Sequence, residues 1–89
     1  MYTTRTLKRA SGLEINELPD GYIVYQQETD RVHYLNGTAV LVFECCDGAV
    51  TAGAIPDLVR KAYNLAELPT AEVKQCLDRL VDEGLITVA

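Results

Sequence analysis

The spacing of apolar residues changes at Asn36, and this change constrains the fold more than any other feature of the sequence. Before Asn36, residues 13–16 alternate between apolar and polar with the period of two that is typical of a half-buried strand, and residues 22–25 and 31–35 are rich in β-branched and aromatic residues. After Asn36, apolar residues recur every three or four positions, as they do along one face of a helix. Strand-forming segments followed by helix-forming segments predict an α+β domain whose sheet and helices are segregated along the chain.

Three short strands are predicted before Asn36. The first covers residues 13–16, the second is the β-branched and aromatic run 22–25, and the third is 31–35. Pro19-Asp20-Gly21 has the composition of a tight turn, and the polar run 26–30 supplies a second turn. The pattern therefore predicts a three-stranded antiparallel sheet, which would be marginally stable by itself.

Three helices and a short final strand are predicted after this sheet. Asn36 is a strong N-cap for the first helix, which is apolar on nearly every side and stops at Asp47-Gly48. Thr51 is a candidate cap for the second helix, whose regular part begins nearer Pro56 than Ala52, because proline fits only the first turn. The third is capped by Thr70, carries Glu72 in its first turn and ends at Gly84; residues 85–88 form the last strand.

The length of 89 residues allows one domain with a modest core, given that 48% of the residues are apolar. A deep substrate cavity would not fit beside such a core, so binding on an outer surface is the expectation. Residues 1–12 are polar or basic without a sustained period and are predicted to be a flexible N-terminal segment. Residues 13–89 are predicted to be the single domain.

The charge balance disfavours nucleic acid as a partner. Eight Lys and Arg against 13 Asp and Glu give a net charge of −5, and only the first twelve residues are locally basic. No run of residues approaches the roughly 20 apolar positions of a membrane span, and the start lacks the apolar stretch of a signal peptide. We therefore expect a cytoplasmic protein with no membrane partner, and the odd count of three cysteines fits reduced thiols.

The sequence contains no recognisable catalytic, metal or cofactor site. His33 is the only histidine, and the cysteines lack the spacing of a zinc site. Cys45 and Cys46 lie in the most apolar predicted helix, where a thiol is usually inert. Ser11 is the sole serine, and the six glycines are scattered singly, without a phosphate-binding loop. We expect no enzyme activity, no metal and no cofactor.

The third predicted strand, Arg31–Leu35, is a candidate binding edge. A three-stranded sheet has two edges with unpaired N–H and C=O groups, and an extended peptide can add to such an edge as a further strand. The alternative is that this strand is internal or covered by the final helix. Because side chains alternate, Val32 and Tyr34 share one face, and His33 and Leu35 share the other. Leu35 directly precedes the buried helix, so we expect Val32 and Tyr34 to be the more exposed pair.

The order of several motifs resembles that of the PqqD-like family, the small precursor-peptide recognition domains of ribosomally synthesised and modified peptides. The resemblance covers about residues 13–88. Two positions depart from the family pattern, since Gly37 stands where proline is common and Pro56 interrupts the usual start of the second helix. The matching motifs are Gly21-Tyr22-Ile23-Val24, Val32-His33-Tyr34-Leu35-Asn36-Gly37-Thr38-Ala39, Cys46-Asp47-Gly48, Val73 with Leu77, Leu80 and Val81, and Glu83-Gly84-Leu85-Ile86.

The resemblance implies a winged-helix-like domain that binds the leader of a precursor peptide as an additional antiparallel strand. The leader would lie between the third strand and the third helix, and the domain would present it to a separate modifying enzyme: a radical S-adenosylmethionine enzyme, a leader peptidase or a cyclase. The domain itself would do no chemistry. The peptide-binding residues that it implies are Arg31, Val32, His33, Tyr34, Leu35, Val73, Lys74, Leu77, Asp78 and Val81.

Two other functions remain open from the residues alone. Three helices of this length permit a winged-helix DNA-binding protein, although the third helix exposes two bases, Lys74 and Arg79, among four acids. The open strand edge also permits a dimerisation or assembly adaptor, including a homodimer. For the helix residues Val73, Leu77 and Val81, ordinary core packing is the competing interpretation.

Overall fold

The computed structural model describes residues 4–88, and these residues form six strands and three helices. A short 3-10 turn, Ala52–Ala54, leads directly into the second helix. The strands are β1 (Thr6–Arg9), β2 (Leu13–Leu18), β3 (Gly21–Gln26), β4 (Arg31–Asn36), β5 (Asp47–Thr51) and β6 (Ile86–Val88), and the helices are α1 (Gly37–Cys45), α2 (Ile55–Tyr63) and α3 (Thr70–Asp82).

The predicted three-stranded sheet is confirmed as β2, β3 and β4, in that order and antiparallel. Leu18 pairs with Gly21 across the two-residue turn Pro19-Asp20, and Gly21 pairs with Asn36 on the other side. This register places Val24 beside His33, and therefore on the same face of the sheet. Val24 is fully buried, so this face of the sheet packs on the core.

A second three-stranded sheet, ordered β5-β1-β6, corrects the predicted layout of one sheet followed by helices. The α+β class is confirmed, and the likeness to a winged helix stays a prediction. The sequence predicts no element over residues 1–12, yet Thr6–Arg9 form the central strand of this sheet and Leu7 is fully buried. Of the predicted flexible segment, residues 1–3 lie outside the described part of the chain. β5 was not predicted, and β6 confirms the predicted final strand.

The helices start as the sequence predicts at two of three positions. The side chain of Asn36 accepts a hydrogen bond from the backbone N–H of Ala39 at 2.9 Å, which confirms it as the N-cap of α1. α2 begins at Ile55 with Pro56 in its first turn, as predicted. Thr70 is the first residue of α3 rather than its cap, and the preceding position is Pro69, whose side chain cannot accept a hydrogen bond.

The core lies among the inner faces of both sheets and the three helices. Phe43 of α1 is fully buried, and its neighbours in the core come from sequence positions as distant as Leu7 and Leu85. α3 contributes the buried residues Val73, Leu77 and Leu80. Of the helices in the described part of the chain, none combines the length and the apolar character that crossing a membrane requires.

Candidate functional site

β4 is an edge strand of the β2-β3-β4 sheet. Within residues 4–88 it pairs with β3 along its whole length and with no second strand. In an antiparallel pair, alternate residues direct their N–H and C=O groups away from the partner, so β4 presents a row of such groups on its outer side. The alternative that this strand is internal is therefore wrong for the described part of the chain.

The side chains of β4 alternate as its sequence predicts. Val32 and Tyr34 are 64% and 44% exposed, whereas His33 and Leu35 are 6% and 1% exposed. The expectation that Val32 and Tyr34 form the exposed pair is confirmed. Of the candidate binding residues on this strand, Arg31, Val32 and Tyr34 are open to a partner, while the side chains of His33 and Leu35 are packed inside the domain.

The buried His33 joins β4 to the C-terminal end of α3. Its Nε2 lies 3.2 Å from Oε1 of Gln26 on β3, and its Nδ1 lies 3.3 Å from Oε2 of Glu83 just after α3. The side-chain amide of Gln26 also donates to the backbone carbonyl of Glu83 at 3.2 Å. These contacts fix the separation of β4 and α3 at one end of the space between them, because buried polar groups that are paired hold a defined geometry.

A cleft of 340 Å³ lies between the end of β4, the first turn of α1 and the side of α3. Two of its lining side chains, Leu35 and Leu80, are apolar and buried, and most of the others are polar. The cleft has the mixture of apolar surface and a few polar groups that is typical of binding sites. The lining residues are Leu35, Asn36, Thr38, Ala39, Glu72, Gln75, Cys76, Arg79 and Leu80.

The structure places the predicted binding residues of α3 away from this cleft. Val73 and Leu77 are buried in the core, at 1% and 3% exposed, which confirms core packing as their role. Lys74 and Asp78 do not line the cleft; with about 100° between successive residues, they lie about 120° or more around the helix from the cleft residues Glu72 and Cys76 and about 60° or more from Gln75. The partly buried Val81 lies on that same far side.

Glu72, Gln75 and Cys76 were not predicted as binding residues, because two helix flanks adjoin the buried stripe. Glu72, Gln75, Cys76 and Arg79 recur at the three- and four-residue spacing of one face, so the periodicity shows that they lie together. It does not show which flank faces β4. The contact between His33 and Glu83 identifies that flank, since Glu83 continues the same spacing.

Charged groups of both signs line or border the cleft. Arg79 Nε lies 3.4 Å from Glu83 Oε1, and Glu72 occupies the first turn of α3, where the helix dipole favours a carboxylate. Lys74 Nζ lies 3.1 Å from Asp78 Oδ2 on the far side of the helix. Of the two bases that the sequence places on the exposed side of α3, only Arg79 lines the cleft, and its guanidinium is close to the carboxylate of Glu83 in the same chain.

The three cysteines lie in surroundings that suppress thiolate chemistry. Burial raises the pKa of the Cys46 thiol to about 12. Burial also raises the pKa of Cys76 in the cleft and of Cys45 at the end of α1. Because the thiolate is the reactive form, these thiols are poor nucleophiles at neutral pH, and Cys76 contributes mainly apolar surface to the cleft.

Comparison with known proteins yields a match to one family model, described as coenzyme PQQ synthesis protein D (PqqD), over residues 21–86. The matched region includes β3, β4, all three helices and the cleft between β4 and α3. Neither a curated protein nor a solved structure gave a match to the chain.

Proposed function

The chain belongs to the PqqD family, and from this we propose that it is a non-catalytic module that captures the leader region of a ribosomal precursor peptide and presents it to a separate modifying enzyme. Members of this family are accessory binding proteins that act with a peptide and an enzyme partner in the biosynthesis of modified peptides. For this chain, the proposal adds where the peptide binds and how.

The observation that carries the proposal is the unpaired edge of β4 beside the cleft. An extended peptide that pairs with this edge becomes a fourth strand of the sheet, next to β4. Main-chain hydrogen bonds supply affinity in this arrangement, each contributing about 1 kcal/mol. The leader's inward-facing side chains would enter the cleft between β4 and α3, and pockets of this kind give sequence specificity.

The orientation of the peptide follows from an antiparallel pairing. β4 runs from Arg31 to Asn36, so the N-terminal end of the bound segment would lie beside Asn36 and its C-terminal end beside Arg31. Its outward-facing side chains would then extend the exposed face that carries Val32 and Tyr34. The leader's inward-facing side chains would contact Leu35, Cys76 and Leu80.

The proposed role in presentation requires that a bound leader leave the rest of the precursor accessible. The segment C-terminal to the paired strand would emerge past Arg31, on the side of the β3–β4 turn, and the modified core of a precursor follows its leader. We propose that a radical S-adenosylmethionine enzyme, a leader peptidase or a cyclase receives the core there. The residues of this chain would hold the peptide and carry out no bond-making step.

Amide hydrogen exchange tests strand addition directly. Peptides selected from a randomised displayed library on the wild-type chain, together with one DNA duplex, are added to the labelled protein. We expect alternate amides of Arg31–Asn36 to become protected by a bound peptide, because their N–H groups gain acceptors. Amides on the opposite sheet edge, Leu13–Leu18, serve as the internal control and should not change.

A pair of matched variants adds a second readout. Tyr34→Glu and Leu18→Glu place a charge on the same outer face of the sheet, at residues that are 44% and 40% exposed, but on opposite edge strands. Only Tyr34→Glu should weaken peptide binding. Equal affinities for the two variants, or no new protection on β4, would refute strand addition at this edge. If the DNA duplex changes the chemical shifts of the labelled protein and none of the peptides does, the winged-helix DNA-binding function would be favoured instead.

A further inference from the structure

A second cavity adjoins the cleft and is not explained by strand pairing. It has a volume of 640 Å³ and lies where β4 ends, between the first turn of α1, the end of α2 and the loop before α3. Asn36, Thr38 and Glu72 line both cavities, so the two lie side by side, and together they are called the groove below. This second cavity is called the α2 pocket below.

The walls of the α2 pocket are mainly apolar. Val59 is buried, but Tyr63 and Leu65 remain 48% and 39% exposed although they line a concavity, and Pro69 completes the wall. Large apolar side chains that are exposed together in a concave site are typical of a ligand-binding surface. Glu72, at the junction with the cleft, is the only charged residue among the lining residues.

The polarity of the proposed strand addition leads the peptide into this pocket. An antiparallel leader has its N-terminal end beside Asn36, and the α2 pocket opens at that end of the groove. We infer, as an extension that rests on the proposed function, that residues N-terminal to the paired segment place a large aliphatic or aromatic side chain in the α2 pocket. The chain thus recognises a paired strand plus one apolar anchor upstream of it.

Gly37 keeps the α2 pocket open. It is the first residue of α1 and lines the pocket without a side chain. An added Cβ would lie 3.5 Å from the hydroxyl oxygen of Tyr63, which is an ordinary contact that the fold tolerates. A small side chain at this position therefore narrows the pocket without displacing its walls.

A second copy of the chain is a poorer occupant than a leader. Each chain carries a net charge of −5, so two copies repel one another at low ionic strength. Glu72 at the junction favours a hydrogen-bond donor or a cation on the peptide and disfavours an acidic side chain. The expected ligand is therefore a peptide with an apolar anchor followed by a neutral or basic residue and then a strand-forming segment.

The test uses the peptides selected from the randomised library and a pair of variants matched in residue type and exposure. Leu65 and Leu58 are both leucines that are 39% exposed, but only Leu65 lines the α2 pocket. We expect Leu65→Ser to weaken peptide binding by about ten-fold or more, as measured by fluorescence anisotropy, and Leu58→Ser to leave it within about two-fold. Replacing the peptide's upstream apolar residue with alanine should cause the same loss.

A double-mutant cycle separates direct contact from a general effect on folding. The loss caused by Leu65→Ser should largely disappear with the alanine-substituted peptide, because the two changes remove the same contact. Gly37→Ala is a second variant that preserves the pocket walls, and it should weaken binding of peptides with an aromatic anchor more than binding of the alanine-substituted peptide.

Each outcome decides between the two proposals. Protection of β4 by the peptide, combined with equal affinities of Leu65→Ser and Leu58→Ser, would overturn the anchor and leave strand addition standing. Absence of β4 protection would overturn the proposed function and the anchor together. Dimerisation of the wild-type chain that Leu65→Ser abolishes, measured by sedimentation, would also overturn the anchor, since the pocket would then belong to an interface between copies.

Discussion

Replacing Gly21 with alanine should destabilise the domain strongly. Gly21 begins β3 and pairs with Asn36, the last residue of the proposed peptide-binding strand. An added Cβ would lie 2.0 Å from the backbone carbonyl oxygen of Leu35. The obstacle is backbone, which cannot rotate away as a flexible side chain would, so glycine is required here for space.

The size of the effect follows from the movement that the methyl group demands. Cβ atoms essentially never approach other heavy atoms within 3.0 Å, so β3 and β4 must separate by about 1 Å at Leu35. A shift of this size breaks or stretches about two ladder hydrogen bonds, at about 1 kcal/mol each, and disturbs the packing of the buried Leu35. We expect a loss of about 3 kcal/mol in the free energy of unfolding, within the range for overpacked sites.

Urea denaturation followed by far-ultraviolet circular dichroism measures this loss. With a slope of about 1 kcal/mol per M for a small domain, the midpoint should fall by about 3 M. Gly37→Ala is the matched control, since its Cβ makes only an ordinary contact at 3.5 Å and its midpoint should stay near that of the wild type. A Gly21→Ala midpoint within about 0.5 M of the control would refute the steric reasoning.

Three further predictions concern capping, thiol reactivity and pH. Asn36→Ala should cost about 1 kcal/mol of stability because Asn36 caps α1, whereas Thr70→Ala should cost less than about 0.5 kcal/mol because Thr70 makes no cap hydrogen bond; equal losses in urea denaturation would contradict this. Cys46, which is fully buried with a pKa raised to about 12, should be alkylated by iodoacetamide at pH 8 only after unfolding, and mass spectrometry should show the partly buried Cys45 and Cys76 reacting before it. Backbone N–H groups that donate to Asp47 lower its pKa below 3.8, so its stabilising contribution is present above pH 3.8 and disappears as the pH falls through the lowered pKa. The difference in unfolding free energy between wild type and Asp47→Asn should therefore shrink over that pH interval. A constant difference would show that this ionisation is not linked to folding.

The residues of the proposed peptide edge could be identified from the sequence because the determining signals are local. Alternation fixes that Val32 and Tyr34 share a face opposite His33 and Leu35, and the helix that starts after Asn36 indicates which face is buried. The structure bears out both points. Asn36 also caps its own helix through a contact only three residues away, so no knowledge of the tertiary structure is needed to predict it.

The second sheet could be seen only in the tertiary structure. β1 and β5 are four and five residues long, too short for a period to stand out, and β1, from the start of the chain, pairs with β5 from the middle and with the predicted β6 from the end. Arg9, which in the sequence belongs to a basic and polar segment, instead donates to the backbone carbonyl of Glu44 at 2.9 Å. Pairing between strands so distant in sequence leaves no local signal.

The sequence by itself determined the exposed and buried faces of β4, the three helices and the buried stripe of α3, because each depends on spacing or on capping between near neighbours. Tertiary packing decided which flank of that stripe faces β4: Glu72 and Cys76 line the cleft there, whereas Lys74 and Asp78 do not. A helical period shows which residues share a face. Which neighbouring element that face meets depends on how the whole chain fills its core, since both flanks of a buried stripe are equally polar in sequence.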